Sequence, residues 1–156
     1  MQTDYPLLAS QLTALLTDPI PPVSALANTS ALIWHALNHI NWAGFYLAKG
    51  ATLYLGPFQG KPACQIIDFG RGVCGAAAAS GQIQRVADVH TFPGHIACDA
   101  ASRSEIVLPL IWQKSLLGVL DIDSPLLDRF SADDEAGLCQ LISILLHHVD
   151  WSHGLL

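Results

Sequence analysis

Two pairs of apolar, strand-like segments, each joined by a tight turn, constrain the fold of this chain more than any other feature. The four segments are Trp42–Leu47, Thr52–Phe58, Glu105–Trp112 and Leu116–Ile122. Lys49 and Gly50 lie in the first turn, and residues 113–115 form the second. Strands joined by so few residues pair antiparallel, because a parallel pair needs a crossover of about a dozen residues or more. The sequence therefore predicts a sheet that is mainly antiparallel.

Helical patterns lie before, between and after these strand pairs. The remaining predicted elements are a helix over Leu7–Leu16 with Asp4 as its cap, a helix with an apolar stripe from Val23 to Ile40, a strand over Cys64–Phe69, a short alanine-rich helix over Val73–Ser80 and a final helix that begins at Ser131. This order predicts an α+β fold in which helices flank a central sheet. The 156 residues fit one domain, residues 1–156.

The composition excludes several classes of protein. Hydrophobic residues make up 51% and charged residues 13% of the chain, so it can bury a sizeable core and is not disordered. With 13 acidic and 7 basic residues, the formal net charge of −6 leaves no basic stripe for nucleic acid. No apolar run approaches the roughly 18 residues that suggest a membrane span. The first basic side chain is Lys49, which argues against a targeting peptide, so we expect a cytoplasmic protein.

The cysteines and a long loop supply the candidates for reactive chemistry. Cytoplasmic cysteines are more often reactive, metal-binding or buried than joined in structural disulfides. Cys98 lies in the irregular segment Asp88–Ser102, and loops of this length are usually functional. A loop gives a nucleophilic thiol access, whereas the neighbouring Asp99 disfavours the thiolate, so a nucleophile and a small buried side chain both remain open for Cys98. Cys139 is predicted to be a buried side chain of the final helix.

Two further patterns do not meet the requirements of the sites they imitate. His90, His95 and Cys98 are spaced H-x4-H-x2-C, but structural zinc sites use four ligands, usually in close pairs, and the chain has no C-x2-C. We therefore predict no metal site. The segment Gly70–Gly75 matches G-x-G-x-x-G, yet a dinucleotide site also needs a βαβ unit and an acidic residue about 20 positions further on. Asp88 lies too early for that role, so no nucleotide cofactor is expected.

Two strands carry polar or aromatic residues on a single face. Side chains alternate along a strand, so Asp121 and Asp123 project from one face of the second hairpin. Two like charges there are costly unless a cation binds them; the alternative is a strand end that emerges into solvent. Trp42 and Tyr46 likewise share one face, with Gly44 between them. They could form the wall of a small-molecule pocket or simply pack in the core.

Six segments, taken together, resemble one family. They are Asn41–Tyr46, Leu55–Cys64, Gly70–Gly75, His95–Ser102, Ser104–Pro109 and Gly118–Ser124. In order and in detail they look like the free methionine-(R)-sulfoxide reductases, a family of GAF-domain enzymes, and the match runs from about Leu26 to about Leu141. The resemblance implies a GAF-like fold and a preference for the R epimer of free methionine sulfoxide.

The resemblance also implies roles for individual residues. Cys98 would be the nucleophile, Cys64 the resolving thiol and Cys74 an auxiliary thiol, while Glu105, Asp121, Asp123, Trp42 and Tyr46 would line the substrate site. In this chemistry a thiolate attacks the sulfoxide sulfur while Glu105, or a carboxyl beside it, protonates the oxygen. Cys98 becomes a sulfenic acid, and Cys64 converts it to a disulfide. A dithiol such as thioredoxin would reset a homodimeric enzyme that needs no organic cofactor.

Two other functions compete with this interpretation. GAF domains often bind a small ligand without turnover, and such a sensor would also explain the aromatic residues and the carboxylates. It leaves Cys64, Cys74 and Cys98 without a purpose, which favours the enzyme. A zinc-dependent hydrolase has only the histidines and the cysteine of the long loop in its support.

Overall fold

A six-stranded antiparallel sheet forms the centre of the protein, in a computed structural model that describes residues 2–96 and 98–156. Met1 of the predicted domain and Ala97 of the His95–Ser102 segment lie outside the described residues. The elements are α1 (Tyr5–Leu15), α2 (Pro22–Ala36), β1 (Trp42–Lys49), β2 (Thr52–Gly60), β3 (Ile66–Asp68), α3 (Gly72–Ser80), β4 (Gln84–Val86), a one-turn 3₁₀-helix (Val89–Thr91), β5 (Ser104–Trp112), β6 (Ser115–Ser124) and α4 (Ala132–His148). The strand order β3-β2-β1-β6-β5-β4 confirms the predicted α+β fold.

Both predicted hairpins are present, and their first strand and last strand meet in the middle of the sheet. β1 pairs with β2, β5 pairs with β6, and β1 also pairs with β6. Gln113 and Lys114 have φ values of 48° and 64°, as a two-residue hairpin turn of the primed type requires. The central pairing sets Trp42 opposite Asp123 and Gly44 opposite Asp121. The two aromatic residues of β1 and the two aspartates of β6 that the sequence singled out therefore lie on adjacent strands.

The two faces of the sheet have different covers. On the helical face, α2 and α4 pack on the sheet and α1 packs on both helices. Phe45, Leu120 and Ile122 point to this face and are fully buried, each contributing about 1.5–3 kcal/mol through burial. On the opposite face, which we call the pocket face, α3 packs against β5 and β6. Trp42 and Tyr46 point to the pocket face, as the period-two pattern predicts.

Three differences from the elements that the sequence predicts have a physical reason. The apolar stripe of the second helix does not continue to Ile40, because α2 ends at Ala36 and His39 takes a left-handed conformation with φ 60° that turns the chain into β1. The third strand is Ile66–Asp68 and not Cys64–Phe69, since Cys64 is bonded elsewhere. The three-residue strand β4 was not predicted, because so short a segment has no visible alternation.

The prediction for Cys139 is wrong. Its side chain is exposed on α4. Leu138, Leu141 and Leu145 form the buried stripe of this helix, and a residue one position further along is rotated by about 100° from Leu138. Cys139 thus falls just outside the stripe. Among the described residues, no helix has both the length and the apolar character needed to cross a membrane.

Candidate active site

A pocket opens on the pocket face, and it collects the residues singled out from the sequence. Its lining includes Trp42, Tyr46, Cys74, Cys98, Glu105, Asp121 and Asp123. β1 supplies the aromatic residues, α3 the buried thiol, β5 and β6 the carboxylates, and the long loop Cys98. Cys64 reaches the pocket through a covalent bond. The fold therefore brings all eight candidate residues to one place.

Cys64 and Cys98 form a disulfide at the side of this pocket, with their Cα atoms 5.6 Å apart. They are 34 residues apart in sequence, Cys64 in the connection after β2 and Cys98 in the long loop. The Tyr46 hydroxyl donates a hydrogen bond of 2.9 Å to the carbonyl of Cys64, and Trp42 Nε1 donates one of 3.1 Å to the carbonyl of Lys61. The two aromatic side chains therefore fix the segment that carries Cys64.

The same aromatic side chains form a stacked wall. The rings of Trp42 and Tyr46 have centroids 5.8 Å apart, and Phe58 of β2 stacks on Trp42 at 5.1 Å. Gly44 permits this arrangement, because a Cβ atom there would collide with Phe58. Trp42 and Tyr46 are only 3% and 2% exposed, so they serve the core and line the pocket at once.

A thiol and three carboxyl groups form the floor of the pocket. Cys74, Glu105 and Asp121 are each 5–6% exposed, while Asp123 is half-buried. The Cys74 thiol donates to Glu105 Oε1 at 3.8 Å. Asp121 Oδ1 is buried and has no hydrogen-bond partner among the described residues. Asp121 and Asp123 share a face as predicted, but the alternative of a solvent-exposed strand end is wrong for Asp121.

Burial keeps protons on this cluster near neutral pH. It raises the pKa of Glu105 well above its usual range, and the negative charges of Asp121 and Asp123 raise that pKa further. The pKa of Asp121 rises to about 6, mainly through burial. The pKa of Asp123 is raised by burial and then by Asp121 and Asp99. The three groups titrate as a unit that holds both a proton donor and a negative charge.

The free cysteine Cys74 and the disulfide-bonded Cys98 differ in reactivity. Burial raises the pKa of Cys74 well above that of a free thiol, and Asp121 and Glu105 add to the effect. Cys74 is therefore a thiol and not a thiolate at neutral pH. Cys98 lies in the loop at intermediate exposure, where a thiolate would be accessible once the disulfide is reduced.

Asn41 is a part of the site that the sequence did not reveal. Its Nδ2 donates to Asp99 Oδ2 and to Ser102 Oγ, both at 3.1 Å, and the amide of Ala101 donates to Asp99 Oδ1 at 2.9 Å. These bonds tie the chain just after Cys98 to the start of β1. Asn41 and Asp99 are 58 residues apart, so no local pattern links them.

The glycine-rich segment Gly70–Gly75 contributes residues to the lining of the pocket, a role that its similarity to a dinucleotide motif does not indicate. Gly70 and Gly72 have φ values of 84° and 61°, which let the chain turn sharply from β3 into α3. Arg71, Gly72 and Val73 then line the pocket, so the positive end of the α3 dipole faces it. Among the described residues, no side chain caps this helix end. Exposed Lys61 and Arg71 add two cations at the rim.

One group of side chains in the described part of the chain approaches the spacing of metal ligands, and it is not the loop trio of His90, His95 and Cys98. Cys74, Glu105 and Asp121 offer ligand atoms that all lie within 4.8 Å of one another. The Cys98 sulfur is held in the disulfide, which removes its capacity to bind as a thiolate.

Comparisons with known proteins identify relatives over most of the chain. The GAF domain model matches residues 22–147. The free methionine-R-sulfoxide reductase of Escherichia coli is 58% identical over 132 residues, which cover 85% of this chain and 80% of that protein. The structure of fRMsr of Staphylococcus aureus in its reduced form superposes with a TM-score of 0.92 at 48% identity, covering 94% and 96% of the two chains. The free methionine-R-sulfoxide reductase from Neisseria meningitidis, in complex with its substrate, gives a TM-score of 0.88 at 43% identity over 92% and 87%.

Proposed function

Because the chain belongs to the GAF-domain-containing free methionine-(R)-sulfoxide reductase family, we propose that it reduces free methionine (R)-sulfoxide to methionine. The observation that carries this proposal is the Cys64–Cys98 disulfide beside a pocket floored by partly protonated carboxyl groups. A ligand-binding domain without turnover has no need for such a pair of cysteines.

In the proposed reaction, the Cys98 thiolate attacks the sulfoxide sulfur and accepts its oxygen. A proton must reach that oxygen, and Glu105 supplies it because its raised pKa keeps it protonated at neutral pH. Methionine leaves two electrons richer, and Cys98 is a sulfenic acid. The Cys64 thiol then forms a sulfur–sulfur bond with Cys98 and releases water. Cys74 keeps its proton and serves as an auxiliary thiol in the floor of the pocket.

The charges around the pocket suit a free amino acid. With a pKa of about 6, Asp121 is mostly ionised at pH 7, and its buried, unpartnered oxygen can accept the ammonium group of the substrate with help from Asp123. The positive end of α3, with Arg71 beside it, suits the carboxylate. The stacked Trp42 and Tyr46 suit the apolar side chain.

The cycle closes when an external dithiol reduces the disulfide. We propose thioredoxin for this step, because disulfide exchange needs an accessible attacking thiolate and no organic cofactor. A reducible catalytic pair also fits a reducing compartment, so a cytoplasmic location belongs to the same proposal. The homodimer and the R preference rest on the family resemblance.

The test is to incubate the reduced protein with each epimer of free methionine sulfoxide and a dithiol, and to measure methionine by chromatography. We expect methionine from the R epimer only. Cys98→Ser should be inactive, and the matched variant Cys139→Ser should be fully active because Cys139 is exposed on α4 away from the pocket. If the wild-type protein binds the sulfoxide but forms no methionine, the protein is a ligand sensor and the proposal is wrong.

A further inference from the structure

We propose that Cys74, Glu105 and Asp121 form a buried site for a thiophilic divalent cation such as Zn²⁺, and that occupation of this site blocks the substrate. The three residues come from α3, β5 and β6, so packed elements and not a loop hold them together. The site is distinct from a resident cofactor, since the proposed reaction has no step that uses a metal.

The spacing of the donor atoms suits a tetrahedral ion after small side-chain rotations. Ligand atoms of all three residues lie within 4.8 Å of one another, and Cys74 Sγ is 3.8 Å from Glu105 Oε1. Around a tetrahedral zinc ion, a thiolate sulfur and a carboxylate oxygen are about 3.6 Å apart. The thiol and Glu105 thus already have nearly the required separation, and Asp121 must approach by at most about 1.5 Å.

A second observation points to a cation at this place. Asp121 is 5% exposed, and its Oδ1 atom lacks a partner among the described residues. The ion pairs of the described residues involve other acidic groups, so no basic side chain neutralises this carboxylate. A buried, ionised and unpaired oxygen is costly, and a bound cation would remove that cost.

The donor set selects the kind of cation. A sulfur ligand with two carboxylates favours Zn²⁺ or Co²⁺ over Mg²⁺ and Ca²⁺, which prefer oxygen ligands alone. The pocket lies over these residues, so a water molecule or half-buried Asp123 can complete the coordination. The Cys64–Cys98 disulfide leaves Cys74 free, so the oxidised protein also keeps the site.

The prediction that the cation blocks the substrate rests on the proposed function, whereas the prediction that the cation binds does not. In the proposed complex the substrate ammonium uses Asp121 and the sulfoxide oxygen uses Glu105. A cation on the same two carboxylates therefore competes with the substrate directly. It would slow the reaction at low substrate and be displaced at high substrate.

Binding is tested on the oxidised protein, in which Cys74 and Cys139 are the free thiols of the described chain. Titration with Co²⁺ should displace the protons of the Cys74 thiol and of Glu105 to solvent and produce a thiolate-to-metal charge-transfer absorption at one ion per chain. Cys139→Ser should keep this absorption and Cys74→Ser should lose it. Asp121→Asn should weaken binding of the ion by about 10- to 100-fold or more, as losing a ligand must cost at least as much as losing a supporting contact. Circular dichroism shows whether each variant is folded.

The proposal fails if the wild type gives no charge-transfer absorption at millimolar Co²⁺, or if Cys139→Ser loses it. A second arm measures single turnovers of pre-reduced, desalted protein with and without Zn²⁺. Zn²⁺ should raise the substrate concentration that gives half of the maximal single-turnover rate without changing that maximal rate, and a fall in the rate at saturating substrate would refute competition. Absence of turnover in a chelator would contradict the proposed function and would leave the Co²⁺ result to decide the site.

Discussion

Replacing Asp121 with asparagine should stabilise the folded protein while it weakens catalysis. Burial raises the pKa of this carboxyl to about 6, from an ordinary value of 3.8. The folded state therefore binds the proton more tightly than the unfolded state, and ionisation at neutral pH opposes folding. The gap between the two values corresponds to about 3 kcal/mol. The neutral amide introduced by Asp121→Asn carries no such cost, so we expect the variant to be about 2–3 kcal/mol more stable at pH 7.

The pH dependence distinguishes this cause from a simple change in packing. Below about pH 4, Asp121 is protonated in both states and the favourable contribution is fully present. That contribution is lost as the pH rises from about 4 through about 6, and it stays lost above that range. Glu105 and Asp123, whose pKa values are also raised, extend the wild-type loss to higher pH. The advantage of the variant should therefore grow from near zero at pH 4 to its full size by pH 7.

Urea unfolding of the oxidised protein at several pH values measures this directly, with fluorescence of the buried Trp42 and Trp151 as the probe. A gain of 2–3 kcal/mol moves the midpoint by about 1–2 M urea. Asp18→Asn is the matched control, because Asp18 is exposed and the variant changes net charge equally. The reasoning is refuted if Asp121→Asn is less stable than the wild type at pH 7, or if the difference is the same at pH 4 and pH 7.

Three other experiments test the site and the sheet that supports it. Cys98→Ser should abolish even a single turnover, while Cys64→Ser should release about one methionine per chain and then stall with thioredoxin; rapid-quench product counts decide, and a full first turnover by Cys98→Ser would contradict the assignment. N-acetylation of the substrate removes the ammonium charge and should lower kcat/KM by more than about 10- to 100-fold, so equal rates on both substrates would exclude the proposed recognition. Gly118→Ala sets a Cβ atom against the Tyr46 carbonyl and should destabilise the protein by about 1–3 kcal/mol; an unchanged urea midpoint would show that the β1–β6 pair can yield.

Alternation along single strands was enough to predict which of the site residues share a face. The period of two is a local property, so Trp42 with Tyr46, and Asp121 with Asp123, could be assigned to common faces from the sequence. The hairpins could also be predicted from the local sequence, because two strands joined by a turn of two or three residues must pair antiparallel. The pairing of β1 with β6 could not be predicted from the strands alone, because it joins residues about 80 positions apart in the sequence.

Features that depend on such distant contacts escaped prediction. Nothing near Asn41 in the sequence indicates its bonds to Asp99 and Ser102. The strand around Cys64 was predicted too long, because its apolar pattern continues where the disulfide and the Tyr46 hydrogen bond draw the chain away from the sheet. The prediction for Cys139 failed because a shift of one position along a helix turns a side chain from the core to solvent.

The difference between the two faces of the sheet explains how the folded protein can hold buried ionisable groups in its pocket. The pocket face buries Cys74, Glu105 and Asp121 with an unpaired oxygen, and each ionised group there opposes folding. The helical face carries a continuous apolar core under three helices, with residues such as Phe45 and Ile122 fully buried. Since successive residues of β5 and β6 point to opposite faces, the strands that hold Glu105 and Asp121 also bury apolar residues such as Ile106 and Ile122 in that core. The carboxyl cluster therefore stays in place although Asp121 Oδ1 has no hydrogen-bond partner among the described residues, and it keeps both a proton and a charge available to a ligand.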